Sequence, residues 1–355
     1  MKQRRQSKRL MLGDVAVGGS APITVQSMTK TDTRDVRATI EQVAALTDAG
    51  CDIVRLAVPD LEAASALGEI RRGTSVPLVA DIHFDHRLAI AAIDAGIDGL
   101  RLNPGNIRRI EDLERVVVHA REHEVPIRVG VNGGSLPGDY RPELTLPERM
   151  VAIAEEQIAV LERLNFDLIK VSLKASDVQT TVDAYVLMAE RSPYPLHLGV
   201  TEAGPPMCGA IRNAMGMGIL LNMGIGDTVR VSMSGDPLLE VDAGREILAS
   251  LGLYDAGARI VSCPTCGRTT LDVPGIASRV AEYVRGIRVP LHIAVMGCVV
   301  NGPGECAQAD VGIAGGAGKV AVYRGGAFAY TVPVDEAFTT LKAEIDALVS
   351  DRQRE

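Results

Sequence analysis

Tryptophan is absent from the 355-residue chain, and aromatic residues reach only 3%. Yet 46% of positions are apolar, so Val, Ile, Leu and Ala must fill the core. That filling suits short β-branched strands buried between helices, as in parallel sheets. Basic charge is also in deficit. The formal net charge is −8, which argues against general nucleic-acid binding, a function that needs a basic face. No run of about 18 apolar residues occurs, so no membrane-spanning segment is expected. The first nine residues carry Lys2, Arg4, Arg5, Lys8 and Arg9 but lack the apolar stretch of a signal peptide. They read as a frayed, solvated tail on a cytoplasmic protein.

What the chain does have is rhythm. Eight short apolar runs, at 23–29, 52–58, 77–84, 99–105, 126–134, 168–176, 196–204 and 227–235, alternate with segments whose apolar residues recur at helical spacing. Several of these segments end in a C-capping glycine, as at Gly50 and Gly96. Eight β-then-α units over about 250 residues predict a (β/α)8 TIM barrel. After Leu251 the rhythm changes. Strands are expected at 259–263, 291–296, 310–314, 319–323 and 327–332, with helices at 275–285 and 334–348. The expected organisation is therefore a barrel over residues 1–255 and a small α+β domain over 256–355.

Strand parity separates the two faces of each barrel strand. The face opposite the apolar one carries Arg55, Asp81 with His83, Arg101 with Asn103, Arg128 with Asn132, Lys170 with Ser172 and Lys174, and Arg230 with Ser232. Charges pointing into a barrel must be paired, hydrated or bound to a ligand. One aspartate cannot satisfy six cations, so the surplus calls for an anion, with guanidinium forks suited to phosphate oxygens. An internal salt-bridge network is the alternative. Glu202 follows the seventh strand and is the acid placed to move a proton, although parity requires it to swing inward past the strand end.

Six cysteines occur, and four of them, Cys263, Cys266, Cys298 and Cys306, cluster in the last hundred residues. Cys263 and Cys266 form a C-x2-C turn, and Cys298 follows a strand within a glycine-rich stretch. Three thiolates on one 4Fe–4S cluster would leave an iron with an unusual ligand or an open position. A structural zinc site with Cys306 as fourth ligand is the competing reading. The C-x3-C-x2-C spacing is absent, which argues against radical S-adenosylmethionine chemistry.

Seven motifs, in order, resemble the family of bacterial two-domain 4-hydroxy-3-methylbut-2-enyl diphosphate synthases of the non-mevalonate isoprenoid pathway. They are Val25-Gln26-Ser27-Met28-Thr29, Val79-Ala80-Asp81-Ile82-His83-Phe84, Arg101-Leu102-Asn103-Pro104-Gly105-Asn106, Lys174-Ala175-Ser176-Asp177, His197-Leu198-Gly199-Val200-Thr201-Glu202-Ala203-Gly204, Cys263-Pro264-Thr265-Cys266, and the stretch from Gly297 through Cys298 and Asn301 to Glu305. The resemblance implies reductive opening of 2-C-methyl-D-erythritol 2,4-cyclodiphosphate with two electrons from ferredoxin or flavodoxin. It implies one 4Fe–4S cluster per subunit, on Cys263, Cys266, Cys298 and the carboxylate of Glu305. It maps the diphosphate to Arg55, Arg101, Arg128, Asn132, Lys174 and Ser232. It maps Glu202 near the reacting carbons and Asn301 to a cluster-side polar contact; Glu305 and His83 join them as candidate catalytic residues, and a homodimer is expected in which one subunit's cluster domain caps the other's barrel. Two positions depart from the family pattern: Cys306 after Glu305, and Met207 with Cys208 after the Gly204 turn. A phosphate-sugar lyase or aldolase with a zinc-stapled tail, and an iron–sulphur electron carrier or sensor, are the rival functions. The carrier has no use for six interior cations.

Overall fold

The computed structural model describes residues 2–107, 109–136, 139–255, 257–287 and 289–354. It divides into two units, Met1–Tyr254 and Asp255–Glu355. Residue 256, where the expected second domain begins, lies outside the described residues.

The first unit opens with a hairpin of β1 (Leu10–Leu12) and β2 (Val15–Val17). Eight parallel strands follow, each leading into a helix. They are β3 (Thr24–Met28), β4 (Ile53–Ala57), β5 (Leu78–Asp81), β6 (Gly99–Arg101), β7 (Ile127–Asn132), β8 (Ile169–Lys174), β9 (His197–Leu198) and β10 (Thr228–Val229). The helices are α1 (Val36–Asp48), α2 (Leu61–Arg72), α3 (His86–Asp94), α4 (Ile110–Glu122), α5 (Leu146–Arg163), α6 (Val178–Arg191), α7 (Pro206–Asn222) and α8 (Pro237–Ser250). The strands pair in the order β8-β7-β6-β5-β4-β3-β10-β9, and a bridge between Val171 and Leu196 joins the two ends into a ring. The eight-unit barrel expected from the rhythm is the fold observed.

Local chemistry explains where the helices begin and end. Asp35, Asp60, Asp85, Asp177 and Asp236 each accept a backbone N–H in the first turn of the helix that follows. Gly50 and Gly96, at φ 97° and 85°, end α1 and α3 in the left-handed region that glycine enters without penalty.

The N-terminal residues are not a frayed tail. Backbone N–H groups of Lys2, Arg5 and Lys8 donate to Asn222, Gly224 and Pro193. The hairpin then closes the barrel floor. Leu12 and Val17 pack on Ile53 and Val79, the inward residues of the lowest layer. The tie is electrostatic. Asp227 is 1% exposed and accepts from Arg4 Nη2 at 2.8 Å, Ser7 Oγ at 2.9 Å and Leu196 N at 2.8 Å. A buried carboxylate must find such donors, and the basic residues that looked solvated supply them.

In the second unit, β11 (Ala258–Ser262), β12 (Leu291–Met296) and β13 (Val311–Gly315) run parallel. The strands β14 (Lys319–Arg324) and β15 (Ala327–Pro333) extend the sheet antiparallel. Helices α9 (Val273–Val284) and α11 (Ala337–Arg352) cover one face through Val280, Leu341 and Ile345. A short helix, α10 (Gly302–Cys306), lies on the other face. Among the described residues, no helix is long and apolar enough to cross a membrane.

Asp227→Ala should lower the unfolding free energy of the barrel by about 3 kcal/mol or more, the usual cost of breaking a buried ion pair. Urea denaturation of both variants would show it, with Arg4→Ala costing less, because the Arg4 side chain is partly exposed and Asp227 keeps Arg5, Ser7 and the Leu196 N–H. A loss under about 1 kcal/mol for Asp227→Ala would mean that the clasp contributes little.

Candidate active site: a cation-lined barrel mouth and a cysteine basin

The C-terminal ends of the barrel strands surround a cavity of about 160 Å³. Arg55, Arg101, Arg128, Asn132, Lys174 and Ser232, spread over β4, β6, β7, β8 and the turn after β10, all line it. Asp81 stands among them. It accepts from Arg101 Nη1 at 3.2 Å and lies 3.7 Å from Arg55 Nε. Burial pushes the Asp81 carboxyl up, but Arg55, Arg101 and Arg128 outweigh burial and hold it below the usual range. His83 sits just past the end of β5, at the rim, with its ring 3.2 Å from Arg101 Nη1. Asn103 turns back to the barrel wall and accepts the Gly130 N–H at 2.9 Å.

A second acid, which strand parity could not reveal, completes the set. Glu240 in α8 is 1% exposed and accepts from Arg230 Nη2 at 3.0 Å and Ser27 Oγ at 3.3 Å. Arg230 also donates to Ser232 at 3.3 Å. The signal was present: Glu240 lies one helical turn before Gly244 on the buried stripe of Pro237, Val241 and Leu248. Gly199 was missed too. A Cβ there would stand 3.0 Å from Lys174 Nζ and 2.5 Å from the Arg230 carbonyl, so glycine makes room for the lysine head.

Even with two carboxylates the cations are not balanced. Arg128 is 4% exposed, and its Nε and Nη1 have no partner. Burial, then Arg55 and Arg101, pull its guanidinium well below the ordinary value. Lys174 is driven down by burial, then by Arg128 and Arg230. Beneath them Lys170 Nζ is also unpartnered, and burial followed by Arg128 brings it to about 7. Five cations lining the cavity, with Lys170 beneath, against two acids and with several lacking an acceptor, form a cradle for a multiply charged anion.

Glu202 is exposed and is not among the residues lining the cavity. Its backbone is left-handed, at φ 52°, a conformation that costs a non-glycine residue about 1 kcal/mol or more. Neighbouring contacts hold it there. Thr201 N donates to the Ala175 carbonyl, Arg212 donates to the Ala203 carbonyl at 3.0 Å, and Ser234 N donates to the Gly204 carbonyl.

In the C-terminal unit, Cys263 and Cys298 leave the same end of the adjacent parallel strands β11 and β12. Cys263 N donates to Val295 O at 3.0 Å. The C-x2-C turn is closed by Thr269, whose Oγ1 accepts from Cys266 N at 3.0 Å. Thr265 N points at Cys263 Sγ at 3.3 Å. The N–H groups of Val300 and Asn301, and Arg268, draw the Cys298 thiol below its ordinary value. Val299, Val300, Asn301 and Glu305 are exposed around it. Cys306 faces the other way. It is 0% exposed among Ala294, Met296, Ala314 and Tyr323, and burial pushes its thiol up to about 12. Adjacent positions on a helix point about 100° apart, so Glu305 and Cys306 cannot face one ligand together. All six cysteines are free thiols.

This donor set fits an iron–sulphur cluster better than zinc. Zinc–sulphur bonds of about 2.3 Å would bring four thiolates within about 4 Å of one another. Among the described residues, no three of these cysteines and their neighbouring carboxylates come within 4.8 Å as a group. The surrounding N–H donors suit a cluster's sulphurs, and the exposed carboxylate offers a harder ligand at an open edge.

Family models match both units. One described as the GcpE TIM-barrel domain matches residues 7–245, and one described as the GcpE protein C-terminal domain matches residues 259–347. A 4-hydroxy-3-methylbut-2-en-1-yl diphosphate synthase (flavodoxin) of Dehalococcoides mccartyi (strain CBDB1) is 56% identical, over 98% of this chain and 100% of that protein. The protein of the same description from Geobacter sulfurreducens is 51% identical, over 98% and 99%. Among solved structures, 3-dehydroquinate dehydratase from Geobacillus kaustophilus superposes with a TM-score of 0.51 at 18% identity, over 70% of this chain and 99% of that one. That likeness is one of fold.

An uncompensated buried charge costs several kcal/mol, and an apolar side chain of similar volume removes that cost. Arg128→Met should therefore raise the melting temperature of the ligand-free protein. The same variant should lose the stabilisation that inorganic diphosphate gives the wild type. Calorimetric scans with and without diphosphate read both effects, and a variant that is less stable yet still protected would remove Arg128 from the anion site.

Proposed function

The chain belongs to the GcpE family, and on that premise we propose that its barrel binds and protonates a cyclic diphosphate, while its C-terminal unit holds one 4Fe–4S cluster per subunit as the electron source. The chain is an oxidoreductase of isoprenoid biosynthesis, and its reaction is the reductive ring opening of 2-C-methyl-D-erythritol 2,4-cyclodiphosphate to 4-hydroxy-3-methylbut-2-enyl diphosphate. Two electrons and two protons turn the cyclodiphosphate into the linear diphosphate and water.

The observation that carries the reading is the partnerless Arg128 guanidinium in a buried, polar cavity. Arg128, Arg101 and Arg55 offer forks to phosphate oxygens, and Lys174 a point charge. Asn132 and Ser232 supply neutral hydrogen bonds at the strand ends. Asp81 and Glu240 keep Arg101, Arg55 and Arg230 oriented, so that the guanidiniums meet the ligand in place. As phosphate departs from carbon its charge grows, and preorganised cations stabilise that growth. Glu202, on its strained loop, is the acid that gives a proton to the departing hydroxyl, with His83 at the rim. Cys263, Cys266, Cys298 and Glu305 would hold the cluster, which supplies the electrons when bound. Asn301, exposed near Cys298, would offer a polar contact on the cluster side. Flavodoxin, as in the relatives' names, or ferredoxin supplies the electrons. A homodimer and a cytoplasmic location belong to the same reading.

Anaerobic reconstitution tests the ligand set. Cys298→Ser should lose both colour and turnover, Glu305→Ala most of its turnover, and Cys306→Ser neither. If Cys306→Ser bleaches the protein while Glu305→Ala does not, the two assignments are reversed.

Glu202→Gln should retain cluster absorbance and substrate affinity while turnover falls by about 10²-fold or more. Wild-type kcat in that variant would leave Glu202 a purely structural loop residue.

A further inference from the structure

A second donor cluster lies on the outside of the barrel, at the opposite end from the cavity. Asp94 is the last residue of α3, and His119 and His123 lie one turn apart at the end of α4. One ligand atom from each side chain lies within 4.8 Å of the other two. Asp94 Oδ1 is 2.7 Å from His119 Nε2, and the imidazole centroids are 4.6 Å apart. We propose that Asp94, His119 and His123 form a site for one divalent transition-metal ion, Zn2+ or its relatives Co2+ and Ni2+, with water in the fourth position.

Three features support this beyond proximity. His123 Nδ1 donates to the His119 carbonyl at 3.0 Å, which fixes the ring and leaves Nε2 as the free lone pair. That is the arrangement by which metal-bound histidines are oriented. Two imidazoles and one carboxylate form a zinc-type donor set, whereas Ca2+ and Mg2+ require oxygen. The site also sits where the C-termini of α3 and α4 converge, and the negative ends of two helix dipoles favour a cation there. A tetrahedral ion about 2.1 Å from each donor would space the donors about 3.4 Å apart. Asp94 and His123 are both exposed and can rotate to that spacing. Since α3 and α4 begin at the cavity end and finish here, the ion would pin two outer helices together and take no part in the reaction.

The test is titration of the cluster-loaded, full-length protein with Co2+ under anaerobic conditions. One equivalent should bind, with the weak visible bands of nitrogen and oxygen ligation and without strong thiolate-to-cobalt absorption. His123→Ala and Asp94→Asn should each weaken binding at least about tenfold. Zn2+ should raise the melting temperature of the wild type but not of His123→Ala, and turnover should be equal in both. Absence of saturable binding below millimolar Co2+, thiolate bands, or unchanged affinity in His123→Ala would each overturn the site. The binding and melting readings depend neither on the cyclodiphosphate nor on electron transfer.

Discussion

Arg55, Arg101, Arg128, Lys170, Lys174 and Arg230 point into one barrel, against the buried carboxylates of Asp81 and Glu240. This excess of like charge in a desolvated space is the constraint around which the rest is arranged. It costs folding free energy that the surrounding apolar shell of helices and strands must offset. It also explains the layering. An apolar floor of Ile53, Val79 and Leu12 excludes water below, so the charged layer communicates with solvent mainly at the strand ends where a ligand enters. A site that is uncomfortable when empty gains more from an anion than a neutral cavity would, because binding removes repulsion as well as adding contacts.

The C-terminal unit solves a different problem with the same economy of elements. Its parallel strands deliver Cys263 and Cys298 to one edge, and a five-residue helix delivers a carboxylate beside them. That helix approaches the sheet because Gly302 has no side chain: a Cβ would lie 2.5 Å from that of Ala314. Close packing turns Cys306 inward against Gly312 and leaves Glu305 outside. The neighbouring thiol is thereby removed from competition by geometry, since the same helical twist that exposes one residue buries the next.

Much of this was legible in the chain. All eight barrel strands lie within the apolar runs, and the parity of β4 to β8 correctly separated inward cations from outward aliphatics, because successive side chains of an unbroken strand point to opposite faces. Glu240 escaped because a helix reaches the barrel interior only through its packing register, which no strand pattern encodes. The hairpin was missed although Leu10 to Val17 reads as two apolar triplets flanking Gly13-Asp14, the short turn that joins paired strands. Arg4 and Arg5 looked solvated because their partner, Asp227, stands far off in sequence. Glu202 was placed correctly on its loop, but its left-handed backbone depends on contacts from Ala175, Arg212 and Ser234 that only the fold brings together.

The Arg4–Asp227 pair spans 223 residues. During synthesis the first residues emerge from the ribosome early and wait for their counterpart. At about 5–20 residues per second, that interval lasts roughly 10–45 s. Throughout it the hairpin and the early βα units have neither a closed floor nor a closing strand, and their apolar edges remain open to other chains. Final cyclisation therefore comes late and all at once. A fusion partner placed directly before Met1 would crowd the segment on which that last step depends, whereas one placed after the C-terminal helix would leave it untouched.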